Sequence, residues 1–138
     1  MSLVLDTGPV LALLDADDPD HARCVELVLS TEENLVVPAA TLVEVDYWCR
    51  KLMGADVFAT FVDDIALGAY QLLSLDPVGV ARAVALERRY ADLRLGLVDA
   101  SVIVTCELLG ETKVATLDQR HFSVVRPAHC EALTLLPA

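Results

Sequence analysis

Four acids in this sequence stand where an α/β chain could use them for chemistry: Asp6, Glu44, Asp99 and Asp118. Asp6 and Asp118 follow the short apolar runs Leu3-Val4-Leu5 and Val114-Ala115-Thr116-Leu117, which read as buried strands. Asp99 opens an almost wholly apolar helical stretch. Glu44 sits on a helical pattern with Thr41, Tyr47 and Trp48 on its face, and no basic residue follows at three or four positions. If the four meet at one edge of a sheet, each pair about 4 Å apart repels by roughly 4 kcal/mol at an effective dielectric near 20. Some would then protonate. A divalent cation removes the conflict, and hard oxygen donors suit Mg²⁺, with Mn²⁺ as a substitute, better than zinc. Such a centre polarises a phosphoryl oxygen and activates water for in-line hydrolysis.

The elements that must position these acids follow in order. Ser2–Leu5 reads as a strand, broken by Gly8-Pro9 before helical spacing through Val10, Leu13 and Leu14. Asp18-Pro19 is an N-cap followed by Pro at the first helical position, opening a helix to Ser30. Leu35–Val37 is a second buried strand, ended by Pro38. Helices are expected over 39–53 and 56–67, a strand over 69–75, and a helix from Asp76-Pro77 to Leu93. A buried helix then covers 98–109, followed by strands at 113–117 and 133–136. Strands alternating with helices predict an α/β domain over residues 1–138. Its mostly parallel central sheet of four to five strands is covered by helices on both faces, giving three layers. In such sheets ligands bind at the carboxyl ends of the strands, where Asp6 and Asp118 fall.

Plainer roles compete with chemistry at several positions. An acid in a first helical turn is favoured by the helix dipole, so Asp99 could simply cap its helix. Asp46 has Arg50 four residues later and reads as a surface ion pair. Cys24, Cys49, Cys106 and Cys130 are widely spaced, form no Cys-x-x-Cys pair and read as core residues, not zinc ligands.

Composition narrows the class of protein. Hydrophobic residues make up 55% of the 138 and the mean hydropathy is +0.51, yet no apolar run has membrane-spanning length. The surplus suggests a partner-covered surface. The N-terminal apolar run has no basic region before it and is interrupted by Asp6, so no signal peptide is expected and the cytoplasm is the expected location. Ten basic against 21 acidic residues give a net charge of −11, which argues against a general nucleic-acid coat. Nucleic-acid chemistry would need bound cations or a local basic patch, for which Arg88, Arg89 and Arg94 are candidates. Arg88 could instead pair with Asp92.

Other designs with an acid at a strand end fit less well. A haloacid-dehalogenase-type phosphatase needs a second Asp two positions after the first, where Gly8 stands, and a receiver domain needs an adjacent acidic pair. Neither a G-x-x-x-x-G-K loop nor a G-x-G-x-x-G fingerprint occurs. Four blocks in order resemble the PIN-domain ribonucleases of the VapC toxin type. They are Leu5-Asp6-Thr7, Pro38 through Glu44-Val45, Leu97-Val98-Asp99-Ala100-Ser101, and Ala115-Thr116-Leu117-Asp118-Gln119-Arg120-His121-Phe122.

The resemblance implies Mg²⁺-dependent RNA cleavage, homodimerisation and inhibition by a small cognate antitoxin. It carries the family's acidic set onto Asp6, Glu44, Asp99 and Asp118, and its supporting hydroxyls onto Thr7 and Thr116. Tyr47, Trp48, Phe58 and Phe61 are candidate RNA-stacking or antitoxin contacts, with ordinary core packing as the competing reading of each. The competing reading is the same fold holding a metal or a partner without cleaving anything. His21, His121 and His129 are not needed as bases, and His121 is expected to pack or to bond backbone just past Asp118.

Overall fold

The structure, a computed structural model, describes residues 1–138. Five strands form its sheet: β1 (Ser2–Leu5), β2 (Asn34–Pro38), β3 (Gln71–Leu73), β4 (Lys113–Ala115) and β5 (Thr134–Leu136). All pairings are parallel and the order is β3-β2-β1-β4-β5. The chain winds outward from β1 through β2 to β3, then returns to the other side of β1 for β4 and β5. The order therefore reverses between β1 and β4, and at such a switch point a crevice opens beyond the carboxyl ends of the strands.

The connections are helical: α1 (Thr7–Leu14), α2 (His21–Ser30), α3 (Thr41–Leu52), α4 (Ala55–Ala66), α5 (Pro77–Arg89), α6 (Leu97–Leu109) and α7 (Gln119–Phe122). Side chains alternate across a strand, so β1 feeds two cores. Leu3 and Leu5 pack with Val10, Val45, Cys49 and Phe61 on the α1, α3 and α4 side. Val4 packs with Ala83, Leu86, Ile103 and Phe122 on the α5, α6 and α7 side. Both faces of the sheet are covered, which is why its central strands read as continuous apolar runs.

Several boundaries depart from the sequence reading for local reasons. The Asp18 carboxylate accepts from the Asp20 amide at 2.8 Å in a turn, so α2 starts at His21 instead of at Pro19. The helix expected to reach Leu93 ends at Arg89. A 3₁₀ turn over Ala91–Leu93 follows, closed by Arg94 in the left-handed region at φ 54°. β4 stops at Ala115, and α7, which the apolar periodicity did not reveal, begins after Asp118 caps it. Gly110 ends α6 at φ +67°, a conformation an L side chain adopts only with strain.

Candidate active site at the strand switch point

Asp6 and Thr116 lie directly beyond adjacent strands, β1 and β4, at the point where the strand order reverses. Asp6 precedes α1 in extended backbone, but its side chain makes no capping bond there. The carboxylate instead accepts from Thr116 Oγ1 at 2.8 Å. The same Thr116 oxygen accepts from the Asp118 amide at 3.0 Å, so one hydroxyl fixes both the Asp6 carboxylate and the loop that carries Asp118. On the other side Thr7 Oγ1 donates to Glu44 Oε1 at 2.7 Å, tying α3 to the start of α1. The two threonines thus work as cross-links between chain segments far apart in sequence.

Asp99 and Asp118 converge from α6 and from the start of α7. His121 Nδ1 is 2.9 Å from Asp99 Oδ2 and 3.3 Å from Asp118 Oδ2. A carboxylate only accepts, so Nδ1 carries the hydrogen. Asp118 Oδ1 meanwhile accepts the amides of Arg120 at 3.1 Å and His121 at 3.4 Å. Ligand atoms of Asp99, Asp118 and His121 all lie within 4.8 Å of one another. Asp6 and Glu44 stand outside this tight triplet. Asp6 is joined to it through Thr116, and it feels the charges of both Asp99 and Glu44.

Asp6 is 5% exposed, and no Lys, Arg or His forms an ion pair with it. Burial pushes its carboxyl up to about 6, against the opposing bonds from Thr116 and the Thr7 backbone; neighbouring Asp99 and Glu44 push further in the same direction. A buried carboxylate that resists ionisation beside other acids is a site arranged for a positive charge. The donors are carboxylate oxygens, a set that fits a hard divalent ion such as Mg²⁺ or Mn²⁺.

Other expectations meet the structure as follows. Asp99 makes no capping bond. Gly96 is the N-cap residue of α6, and the Asp99 side chain turns to His121. His121 itself bonds site carboxylates, not backbone. Its i, i+3 spacing from Asp118 was the available signal, legible only once residues 119–122 are taken as helical. Phe61 is fully buried, edge-on to Tyr70 with ring centroids 5.1 Å apart, so it belongs to the core and is no contact surface. Phe58 is half-buried against the same core. Tyr47 and Trp48 are open to solvent, T-shaped at 5.1 Å, with Lys51 over both rings. Arg88 forms no ion pair with Asp92, Arg89 lies over the Tyr90 ring at 5.5 Å, and Arg94 lines a cavity with His121. Asp46 and Arg50 do form the expected surface pair at 3.2 Å. Cys24, Cys49 and Cys106 are buried, and all four cysteines are free.

The fold and site define a parallel α/β domain with carboxylates gathered at its strand switch point, and comparison with known proteins gives its family. The PIN domain family model matches residues 3–126, and the chain belongs to the PIN-domain family. Over 135 residues, 98% of this chain and 100% of the relative, it is 32% identical to ribonuclease VapC26 of Mycobacterium tuberculosis. In structure it resembles M. tuberculosis VapC20, a sarcin-ricin loop cleaving toxin, with a TM-score of 0.81 at 17% identity over 93% of this chain and 98% of that one. It also resembles VapBC2 of Rickettsia felis, solved on a DNA fragment from its promoter, with a TM-score of 0.68 at 14% identity over 98% and 97%.

Proposed function

We propose that this chain is a Mg²⁺-dependent endoribonuclease toxin that hydrolyses RNA phosphodiester bonds and is silenced by a small cognate antitoxin. One observation carries the reading. Acids from four distant segments are gathered at the β1/β4 switch point, with two threonine hydroxyls and one histidine as their only side-chain hydrogen-bond partners. Core decoration does not require that arrangement, and the repulsion makes it unfavourable without a cation. The identity to a ribonuclease over the full chain supports the same reading.

In this reading Asp6, Glu44 and Asp99 hold the cation, and Asp118 completes the set or positions water. When bound, the cation supplies charge at a phosphoryl oxygen and lowers the pKa of water. Thr116 orients the Asp6 carboxylate and Thr7 orients Glu44. His121 keeps Asp99 and Asp118 from swinging apart. Both threonine hydroxyls are engaged in fixing carboxylates, so in this reading water is the nucleophile and no covalent intermediate is needed.

The partners follow from surfaces. Val43, Tyr47 and Leu52 on α3 and Val62 and Leu67 by α4 are exposed apolar side chains, a face suited to an amphipathic partner helix. An antitoxin arginine reaching the carboxylates would replace the cation with a bidentate ion pair. The active form is proposed to be a homodimer in the cytoplasm; no helix is long and apolar enough to cross a membrane.

The test is direct. Purified chain incubated with total RNA should produce discrete new ends in Mg²⁺ or Mn²⁺ and none after chelation. RNA that stays intact in both metals rules out the nuclease.

A further inference from the structure

The ten basic side chains separate by partner. Arg23, Arg50, Arg82 and Lys113 are in ion pairs with Asp20, Asp46, Glu107 and Glu33. Lys51 and Arg89 lie over aromatic rings, and Arg126 bonds the Ser123 carbonyl. Arg88, Arg94 and Arg120 remain without a side-chain partner. In a protein of net charge −11, these three guanidiniums are free to meet an anion from outside the chain.

Two of these three line one cavity of about 540 Å³, together with Asp92, Leu93, His121 and Val124. His121 is the shared wall between this cavity and the carboxylates. Its Nδ1 faces Asp99 and Asp118, and no protein group bonds its Nε2. The volume is nucleotide-sized. Arg94 also sits at φ 54°, the sole non-glycine residue of the chain with positive φ. That conformation is strained for an L residue relative to the right-handed region, and glycine would avoid the strain. Strain of this kind concentrates at functional sites, where the side chain is needed in that place.

We propose that this notch between the 3₁₀ turn and α7 docks a backbone phosphate of single-stranded RNA next to the bond that is cut, gripped by Arg94 and Arg120. The inference rests on the ribonuclease reading above and adds the direction in which the strand leaves the carboxylates, past His121 toward Arg94. Guanidinium groups suit phosphate by their planar fork of donors. Asp92 on the rim sets one negative charge against the two positive ones and weakens the grip.

The experiment uses the full chain and a single-stranded RNA oligonucleotide that the wild type cuts, in Mg²⁺, over a range of NaCl. Arg94→Gly, Arg120→Gln and the double variant are compared with Arg23→Gln, which makes the same charge change on α2. KM should rise about tenfold for each notch arginine, as befits a charge-assisted bond, with kcat nearly constant and Arg23→Gln unchanged. The slope of log kcat/KM against log salt should become shallower by about 0.7 in the double variant, the contribution of one phosphate on a single strand. Asp92→Asn should lower KM. The melting temperature of Arg94→Gly should equal or exceed that of the wild type, so the loss cannot be assigned to unfolding. A wild type that cuts no RNA defeats the ribonuclease reading itself. A wild type that cuts, with variants of unchanged KM and salt slope, defeats the notch alone. Variants that lose kcat and keep KM also defeat it, as do variants that change only inhibition by a protein partner.

Discussion

Helix α6 carries an acid at each end, and the two meet opposite fates. Glu107, by the amino-terminal edge of the sheet, accepts two bonds from Arg82 at 3.0 and 2.9 Å and the Ala128 amide at 2.6 Å. Although burial raises its carboxyl, these partners together bring it below the usual range. Two turns away, about 12 Å along the helix, Asp99 shares one imidazole with Asp118 and has no Lys or Arg in contact. The pattern extends along both edges. At the amino-terminal edge Glu33 pairs with Lys113, and Glu111 accepts the Ser2 amide at 2.7 Å. At the carboxyl edge Asp6 is buried with its carboxyl pushed up to about 6. Acids that hold the fold together are each given a cation or an amide. At the carboxyl edge Asp118 also accepts two amides, but none of the four acids has a Lys or Arg partner, which is what the proposed cation site requires.

The largest expected effect breaks the comparison at the carboxyl edge. Asp6→Asn, Glu44→Gln, Asp99→Asn and Asp118→Asn should each lower cleavage by about 10²–10³-fold, the usual cost of losing a placed charge in such a site. Their metal-free melting temperatures should match or exceed that of the wild type. Four variants that melt early and still cleave at the wild-type rate would make the cluster structural.

Next in size is the pH dependence of the metal-free protein. The folded pKa of Asp6 is raised from 3.8 to about 6, so folding favours its protonated form. The stability this contributes is complete below pH 3.8 and disappears as pH rises through about 6, an effect of about 3 kcal/mol for a shift of this size. Denaturant unfolding in chelator should show it as a fall in stability between pH 4 and 7, which Asp6→Asn removes. A wild type whose stability rises over that window would contradict the assignment.

At the other end of α6 the sign reverses. Glu107 is lowered, so its stability is present above its ordinary 4.5 and is lost as pH falls through the lower folded value. Glu107→Gln leaves Arg82 half-satisfied and should cost about 1–3 kcal/mol by chemical denaturation, with cleavage per folded molecule unchanged. The smallest effect belongs to Asp46→Asn. Its Arg50 partner is 60% exposed, and breaking the pair should cost about 0.3 kcal/mol and no activity. If Asp46→Asn abolished cleavage, α3 would be presenting a different acid to the centre.

The sequence by itself determined the alternation of strands and helices, the all-round apolar α6 and the acids at the strand ends. Those follow from local periodicity, and from strand ends that place Asp6 and Asp118 next to a turn. It also determined the Asp46–Arg50 pair, because i, i+4 neighbours on a helix meet whatever the rest of the chain does. What joins the acids was decided by the tertiary structure. Thr7 reaches Glu44 across 37 residues and Thr116 reaches Asp6 across 110, and no local pattern encodes contacts made by strands that become neighbours only when the sheet closes. The same holds for Phe61. Its spacing on α4 fits an exposed aromatic face as well as a core, and packing against Tyr70 removes it from the surface. His121 was hidden because α7 spans only Gln119–Phe122, too short for apolar periodicity to show. Asp118 starts that turn by capping it, and the turn then brings the histidine back over Asp118 and Asp99. A one-turn helix is stabilised by its cap and its neighbours more than by its own propensity, so only the folded chain could specify where His121 points.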